Sequence, residues 1–352
     1  MFAALAAHGH TYPSIPLALA ARDAGHDVVF AAGEPFLPAL REAGLRAVPA
    51  GMGMAEAFAG VEPTERGIGH VIGDVLPRRW FADLTPLLRV HRPELLVHDL
   101  ATLGAALAGA AAGVPTIAHT FGRVSPGPMS AAMVASFDAL AAELGVTPPP
   151  ARSVDICPDS VQSPQFRATD RVPLRPVGWS RPGDVPERGS RPFVYLTLGT
   201  AYASTDVLRQ AVDGLAALPV DVVVATGPVV DVAALGPAPD NVRLTAWAPQ
   251  HRLLRVVDLV VHHGGSGTML GAFAAGVPQL LLPQGADQFT NAQAVLDAGA
   301  GARLLPDELS REAVTAAAGA LLVDDAARAG ARRLAIEIAT MPSPAEVVDR
   351  LT

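Results

Sequence analysis

The chain has 352 residues, half of them hydrophobic, and a formal net charge of −8. That length exceeds what one compact α/β core usually holds, so two domains are expected. The acidic balance, with no lysine anywhere, argues against a nucleic-acid partner, because gripping a phosphate backbone takes a basic face.

The N-terminus, MFAALAAHGH, has no positive n-region and only a short apolar run, so it does not read as a signal peptide, and a cytoplasmic protein is expected. Residues 2–7 predict a strand, 15–23 a helix stopped by Gly25, and 27–31 the next strand. The rhythm continues with a strand at 95–98, a helix at 103–111 and a strand at 116–119. Strands alternating with helices predict a parallel sheet covered on both faces. Five prolines between 173 and 192, with scattered Arg and Gly, predict an interdomain linker. A second α/β unit then starts at 193–198, runs through strands at 220–225 and 259–262, and ends in helices beyond Ser310. A Met-Pro-Ser-Pro break precedes a short tail helix at 344–351. The expected domains are therefore 1–178, 193–330 and a C-terminal helical piece, 331–352.

Two stretches without charged residues, 100–118 and 268–286, raise the question of a membrane span. Each is interrupted by Gly-Val-Pro and rich in Ala and Gly, so each reads as a helix, a turn and a buried strand. The single cysteine, Cys157, cannot form an intrachain disulfide or a cysteine-rich zinc site.

The two halves echo each other. A strand, Asp99, a helix, Ala-Gly-Val-Pro and a strand make one unit. A strand, His263, a helix, Ala-Gly-Val-Pro and a strand make the other. Asp99 and His263 are thus expected just past strand carboxyl ends, where open parallel sheets bind ligands.

Residues 247–288 carry the densest chemistry. Trp-Ala-Pro-Gln leads through an apolar strand into His-His-Gly-Gly-Ser-Gly-Thr (262–268), and the segment closes on Asp287-Gln288. A strand that delivers His263 and a glycine run to a helix start presents unpaired N–H groups and a positive dipole end, which suits a diphosphate. Ser266 and Thr268 add hydroxyls, Trp247 offers a flat face to a nucleobase, and Asp287 and Gln288 can hydrogen-bond sugar hydroxyls. A second motif, Ala-His-Gly-His-Thr-Tyr-Pro (7–13), follows the first strand and opens a helix, with Pro13 expected in its first turn.

This ordered set resembles the donor-binding signature of the nucleoside-diphosphate-sugar-dependent glycosyltransferases of the GT-B fold. It is most similar to the bacterial enzymes that glycosylate macrolide, enediyne and other polyketide antibiotics. The likeness covers nearly the whole chain, including Leu-Gly-Thr (198–200), Ala-Thr-Gly-Pro (225–228), Asp-Asn-Val-Arg (240–243) and the tail from Met341. It implies an α/β architecture of two Rossmann-like domains facing across a cleft, with the tail helix returning to the N-terminal, acceptor-binding domain. It also implies donor-site roles for Thr200, Trp247, Ala248, Gln250, His263, Gly265, Ser266, Gly267, Thr268, Asp287 and Gln288. In Gly-His-x-x-Pro the family's histidine is the general base, which matches His10, and its partner aspartate matches Asp99. His8, His98 and His262 read as structural neighbours, and His26, His70, His91, His119 and His251 receive no role.

The resemblance implies transfer of a sugar from a nucleoside diphosphate, with no cofactor or metal, to a hydroxyl of a small-molecule aglycone, inverting the anomeric centre. Two departures stand out. Family members often carry a ribose-clamping glutamate where this chain has Gly271, and that favours a thymidine-diphosphate deoxysugar over a uridine donor. The acceptor stretches, 52–92 and 121–150, are short. Oligomeric state is open, a homodimer included. Three rivals fit less well. A nicotinamide oxidoreductase needs Gly-x-Gly-x-x-Gly, and Gly265-Ser-Gly267 is followed by Gly271, one residue too far. A sugar-nucleotide epimerase leaves His10 unexplained. A glycosyltransferase-like auxiliary protein has no need to keep His10, Asp99 and His263 together.

Overall fold

A computed structural model describes residues 1–62, 64–124, 129–150, 152–200 and 204–351. The chain forms two compact units. The first holds a seven-stranded sheet in the order β3-β2-β1-β4-β5-β6-β7. Its strands are β1 (Phe2–Ala4), β2 (Val29–Ala32), β3 (Arg46–Pro49), β4 (Leu96–Asp99), β5 (Thr116–His119), β6 (Arg152–Asp155) and β7 (Asp170–Pro173). The second holds a six-stranded sheet, β10-β9-β8-β11-β12-β13. Its strands are β8 (Phe193–Thr197), β9 (Asp221–Ala225), β10 (Val242–Thr245), β11 (Leu259–His262), β12 (Gln279–Leu281) and β13 (Gly301–Arg303). Every pairing in both sheets is parallel.

Parallel strands buried on both faces must be apolar at consecutive positions. β8 meets that demand by sending Val194 and Leu196 into one core and Phe193 and Tyr195 into the other. β9 does the same with Val222 and Val224 against Val223 and Ala225. In the first unit, Trp80, Leu84 and Leu88 lie one and two turns apart on helix Leu76–His91 and close over Ala3, Ala31 and Leu96.

Both uncharged stretches divide as expected, into helix Leu103–Ala112 with β5, and helix Ser266–Ala275 with β12. In each, a left-handed glycine, Gly113 or Gly276, caps the helix. No described helix is long and apolar enough to cross a membrane.

Two expectations change. The helix expected at 15–23 runs from His8 to Asp23, so Pro13 and Pro16 lie inside it and Pro13 is past its first turn. Each proline removes one backbone bond. For Pro13 the orphaned carbonyl is that of Gly9, which is solvent-exposed. The boundary expected at 331 falls within helix Asp325–Thr340, which stays with the second unit. There Gly330 touches the backbone of Ala298 and Gly299, and Arg332 and Ala335 lie over Gly276. Only the chain from Pro342 returns to the first unit, where helix Pro344–Leu351 packs on helix His8–Asp23. The linker belongs to the second unit from Pro176 onward, held by Arg188 on Asp258, Arg191 on Asp221, and Arg252 on the Gly183 carbonyl.

Candidate active site

In each sheet the strand order reverses once, between β1 and β4 in the first and between β8 and β11 in the second. Chains leaving the carboxyl ends of two such strands diverge to opposite faces and open a crevice. The residues that the sequence singles out gather at these two places.

In the first unit, β1 feeds through Leu5 into the helix that starts at His8. The His10 and Thr11 amides close that turn on the Ala7 carbonyl, and the Thr11 hydroxyl donates back to the Leu5 carbonyl at 2.8 Å. This fixes His10 beside the end of β4, where Asp99 is the last strand residue rather than the first beyond it. His10 Nδ1 lies 3.0 Å from Asp99 Oδ2. An ionised carboxylate only accepts, so Nδ1 carries the proton and Nε2 keeps its lone pair. The His10 side chain is 21% exposed and that of Asp99 1%. The imidazole is therefore reachable while its partner is sealed. Phe121 tilts against the imidazole with ring centroids 4.2 Å apart.

The neighbouring histidines are structural. His8 meets Tyr12 and Phe36 edge-on. His98 is buried, donates from Nδ1 to the Asp99 carbonyl at 3.0 Å, and is held below its usual pKa by desolvation. Of the acceptor stretches, residues 63 and 125–128 lie outside the described residues.

In the second unit, β11 ends at His262, and the glycine run leads into helix Ser266–Ala275 with Gly265 as its N-cap. His262 is fixed in one tautomer. Its Nε2 donates to Gln279 at 2.9 Å, its Nδ1 accepts from the Gly264 amide at 3.1 Å, and burial lowers its pKa to about 3. His263 sits between glycines, and a Cβ on Gly199 or Gly265 would collide with its ring. Gly199 also has φ +77°, a left-handed value that suits glycine. Burial lowers the His263 pKa to about 4, against the opposing pull of Asp287 and the Thr197 backbone. His263 is thus neutral at pH 7 in the ligand-free protein and offers a hydrogen bond rather than a fixed charge. Its Nδ1 is buried with no hydrogen-bond partner among the described residues.

Around this ring the expected donor residues assemble. The first-turn amides of Ser266 and Gly267 point out of the helix start. Ser266 donates to Asp287 Oδ2 at 3.0 Å, and Thr268 donates to Gln250 Oε1 at 3.1 Å. Both hydroxyls are therefore committed before any phosphate arrives. Thr200 follows Gly199 on the turn after β8, packed against Gly227. Trp247 is 38% exposed on the turn after β10, which the Thr245 hydroxyl holds by donating to its carbonyl. Two assignments change. The Ala248 methyl is buried in the apolar core with Leu253 and Leu254, so only its backbone could meet a ligand. Gln288 is buried, and its Oε1 accepts from the Gln284 and Gly285 amides at 2.7 and 3.2 Å. It braces the loop that carries Asp287, a loop that also holds Ala286 at φ +53°.

The residue that motif reading passes over is Asn291. It is fully buried, and its Nδ2 reaches the Gly264 carbonyl, Ser266 Oγ and Asp287 Oδ2 at 2.9, 3.1 and 2.9 Å. It ties Asp287 to the glycine turn. Its place one helical turn after Asp287 was a signal that spacing alone could have given. Phe121 had no such signal.

Residues 209–352 match the model of the erythromycin biosynthesis protein CIII-like C-terminal domain. The chain is 37% identical to the L-demethylnoviosyl transferase of Streptomyces niveus, over 97% of this chain and 94% of that one. It is 32% identical to the elloramycin glycosyltransferase ElmGT of Streptomyces olivaceus, with the same coverage, 97% and 94%. Among solved structures, the Streptomyces sp. SF2575 glycosyltransferase SsfS6, complexed with thymidine diphosphate, superposes with a TM-score of 0.84 at 30% identity, covering 99% of this chain and 98% of that one.

Proposed function

We propose, from the premise that the chain belongs to the GT-B glycosyltransferases of antibiotic biosynthesis, that it transfers a deoxysugar from a thymidine-diphosphate donor to a hydroxyl of a polyketide-like aglycone, with inversion. The observation that carries this reading is the His10–Asp99 pair. Nδ1 is pinned at 3.0 Å by a sealed carboxylate, and the imidazole is 21% exposed, which leaves Nε2 to act as the base.

In this mechanism His10 Nε2 takes the proton from the acceptor hydroxyl. The oxygen forms a bond to the anomeric carbon as the bond from that carbon to the diphosphate breaks, and the diphosphate departs with the bonding electrons. Asp99 stabilises the imidazolium until the proton passes to solvent. The helix start at Ser266 supplies amides and a positive dipole end to the departing diphosphate, and His263 adds a hydrogen bond. The bound diphosphate also pulls the His263 pKa upward, so donor binding draws in a proton. Trp247 stacks the base and Asp287 holds the sugar. The thymidine choice draws support from the absent side chain at Gly271 and from the thymidine diphosphate in SsfS6.

The test is to incubate the protein with thymidine-diphosphate deoxysugars and a panel of aromatic and macrolide aglycones, with and without excess EDTA. A glycoside of inverted anomeric configuration, formed equally in EDTA, is expected. Retention of configuration, or activity that needs added Mg²⁺ or Mn²⁺, rejects the single displacement driven by helix-start electrostatics.

A further inference from the structure

β4 and β5 are paired in register so that His119 lies directly opposite Asp99, each the last residue of its strand. Partners in a parallel pair project to the same face, so both side chains leave the sheet on the side where His10 closes over Asp99. Asp99 spends Oδ2 on His10, and its Oδ1 is buried with no hydrogen-bond partner among the described residues. His119 is also buried, and its Nε2 is likewise without a partner. Both atoms belong to residues on one face of the sheet, and a buried polar atom that nothing satisfies is costly.

The tautomer of His119 can be read. Burial lowers its pKa to about 4, the Asp99 charge opposes that shift, and so does a hydrogen bond to the Thr120 backbone. A backbone group that holds a histidine pKa up accepts a proton from the ring. The Thr120 amide is already spent on the Val154 carbonyl at 2.9 Å. On that assignment the acceptor is the Thr120 carbonyl and the donor Nδ1–H, since Nε2 has no partner among the described residues. His119 Nε2 is then a lone pair on the same face of the sheet as the Asp99 carboxylate, and two acceptors cannot satisfy each other. One water donates two protons and satisfies both.

We propose that His119 is a positioning residue for the base: with Asp99 Oδ1 it holds one buried water, completing a chain of His10, Asp99, water and His119. This rests on reading His10 as the base. The water's O–H fixes the carboxylate plane and spreads its charge, so Asp99 aims Oδ2 at His10 without over-stabilising the imidazolium. The other titratable groups nearby are committed elsewhere. His98 on β4 donates to the Asp99 carbonyl, and Asp155 on β6 is saturated by Thr120, Gln162, Arg171 and the Cys157 amide.

Three readouts test the chain. In a crystal structure of the wild-type protein at a resolution that shows waters, a peak is expected within hydrogen-bond reach of both Asp99 Oδ1 and His119 Nε2. Nitrogen-15 NMR of labelled histidine is expected to find His119 protonated at Nδ1 and accepting at Nε2. His119→Phe removes the water's second anchor and leaves the Asp99 charge less shared. The acid limb of kcat/KM should then move up by on the order of half a pH unit, with donor KM unchanged. His119→Gln, whose amide can donate to Oδ1 itself, should restore the limb. No density between the two atoms, a proton on Nε2, or a folded His119→Phe whose pH profile overlays wild type overturns the proposal. Should His119→Phe not fold, the water and the tautomer in the wild-type protein still decide. Activity retained by His10→Ala would reject the base instead, and leave those two readouts standing.

Discussion

At the residue scale two imidazoles stand in different settings. His10 is partly exposed and paired with a carboxylate, which suits proton transfer. His263 is buried and neutral, which suits hydrogen bonding to an anion. His10→Ala should therefore lower kcat by roughly a hundredfold or more, the usual worth of a general base, while thymidine-diphosphate affinity stays near wild type. Turnover within a few-fold of wild type would mean that the base lies elsewhere. Asp99→Asn should impair turnover too, because the new amide can donate to Nδ1 and drive the proton onto Nε2, the nitrogen that must be empty. Gly199→Ala tests the second site without touching the first. Its methyl would strike the His263 ring from a left-handed backbone, so nucleotide affinity should fall, by about tenfold on calorimetric titration, and thermal stability with it. Unchanged binding would show that the ring does not need its present place. His10, Asp99 and His263 were legible in the sequence because each sits at a fixed spacing from glycines and prolines that shape its turn. Phe121 and His119 were not, because what joins them to His10 and Asp99 is strand pairing and folding, not local spacing.

At the element scale, six of the seven strands given ranges from sequence match to within two residues, because apolar runs between turn signals are a strong pattern, while β3, β6, β7, β10 and β13 carry no such run and were not named. Helix His8–Asp23 was found late by two turns. Its two prolines lie inside the helix, and the carbonyl orphaned by Pro13 belongs to exposed Gly9, where water can replace the missing bond. Helix Ser266–Ala275 raises the question of nucleotide choice. A glutamate at 271 would accept from both hydroxyls of a ribose, and glycine cannot. A ribose hydroxyl left without a partner costs roughly 1–3 kcal/mol, enough for a preference of about tenfold or more for thymidine diphosphate over uridine diphosphate. Titration with the two nucleotides measures it directly, and equal or tighter uridine-diphosphate binding would sink the idea. Gly271→Glu should then narrow the gap. Its Cβ would lie 2.8 Å from Cδ1 of buried Leu254, so Leu254→Val beside it is expected to give the larger shift.

At the scale of the whole molecule, acid should be the weak point. His119 and His263 have pKa values lowered to about 4 and His262 to about 3, all chiefly by desolvation, from an unfolded value near 6.5. Between those limits the unfolded chain binds more protons than the native one, so stability is full above about pH 6.5 and drains away as pH falls toward 4. Calorimetric melting from pH 7.5 to 5 should show Tm falling with pH, and a flat profile would mean that these rings are not buried in neutral form. The final helix has a consequence in time as well as in space. Val347 and Val348 are buried, and their helix packs on helix His8–Asp23, near the start of the chain. A ribosome makes these two surfaces in the opposite order from the one in which they are needed. The helix that bears His10 emerges first and waits, with part of its apolar seat uncovered, while the entire second unit is translated. Only when the residues beyond Met341 leave the exit tunnel can the first unit finish folding, so the nascent chain must shield that seat, or have it shielded, throughout.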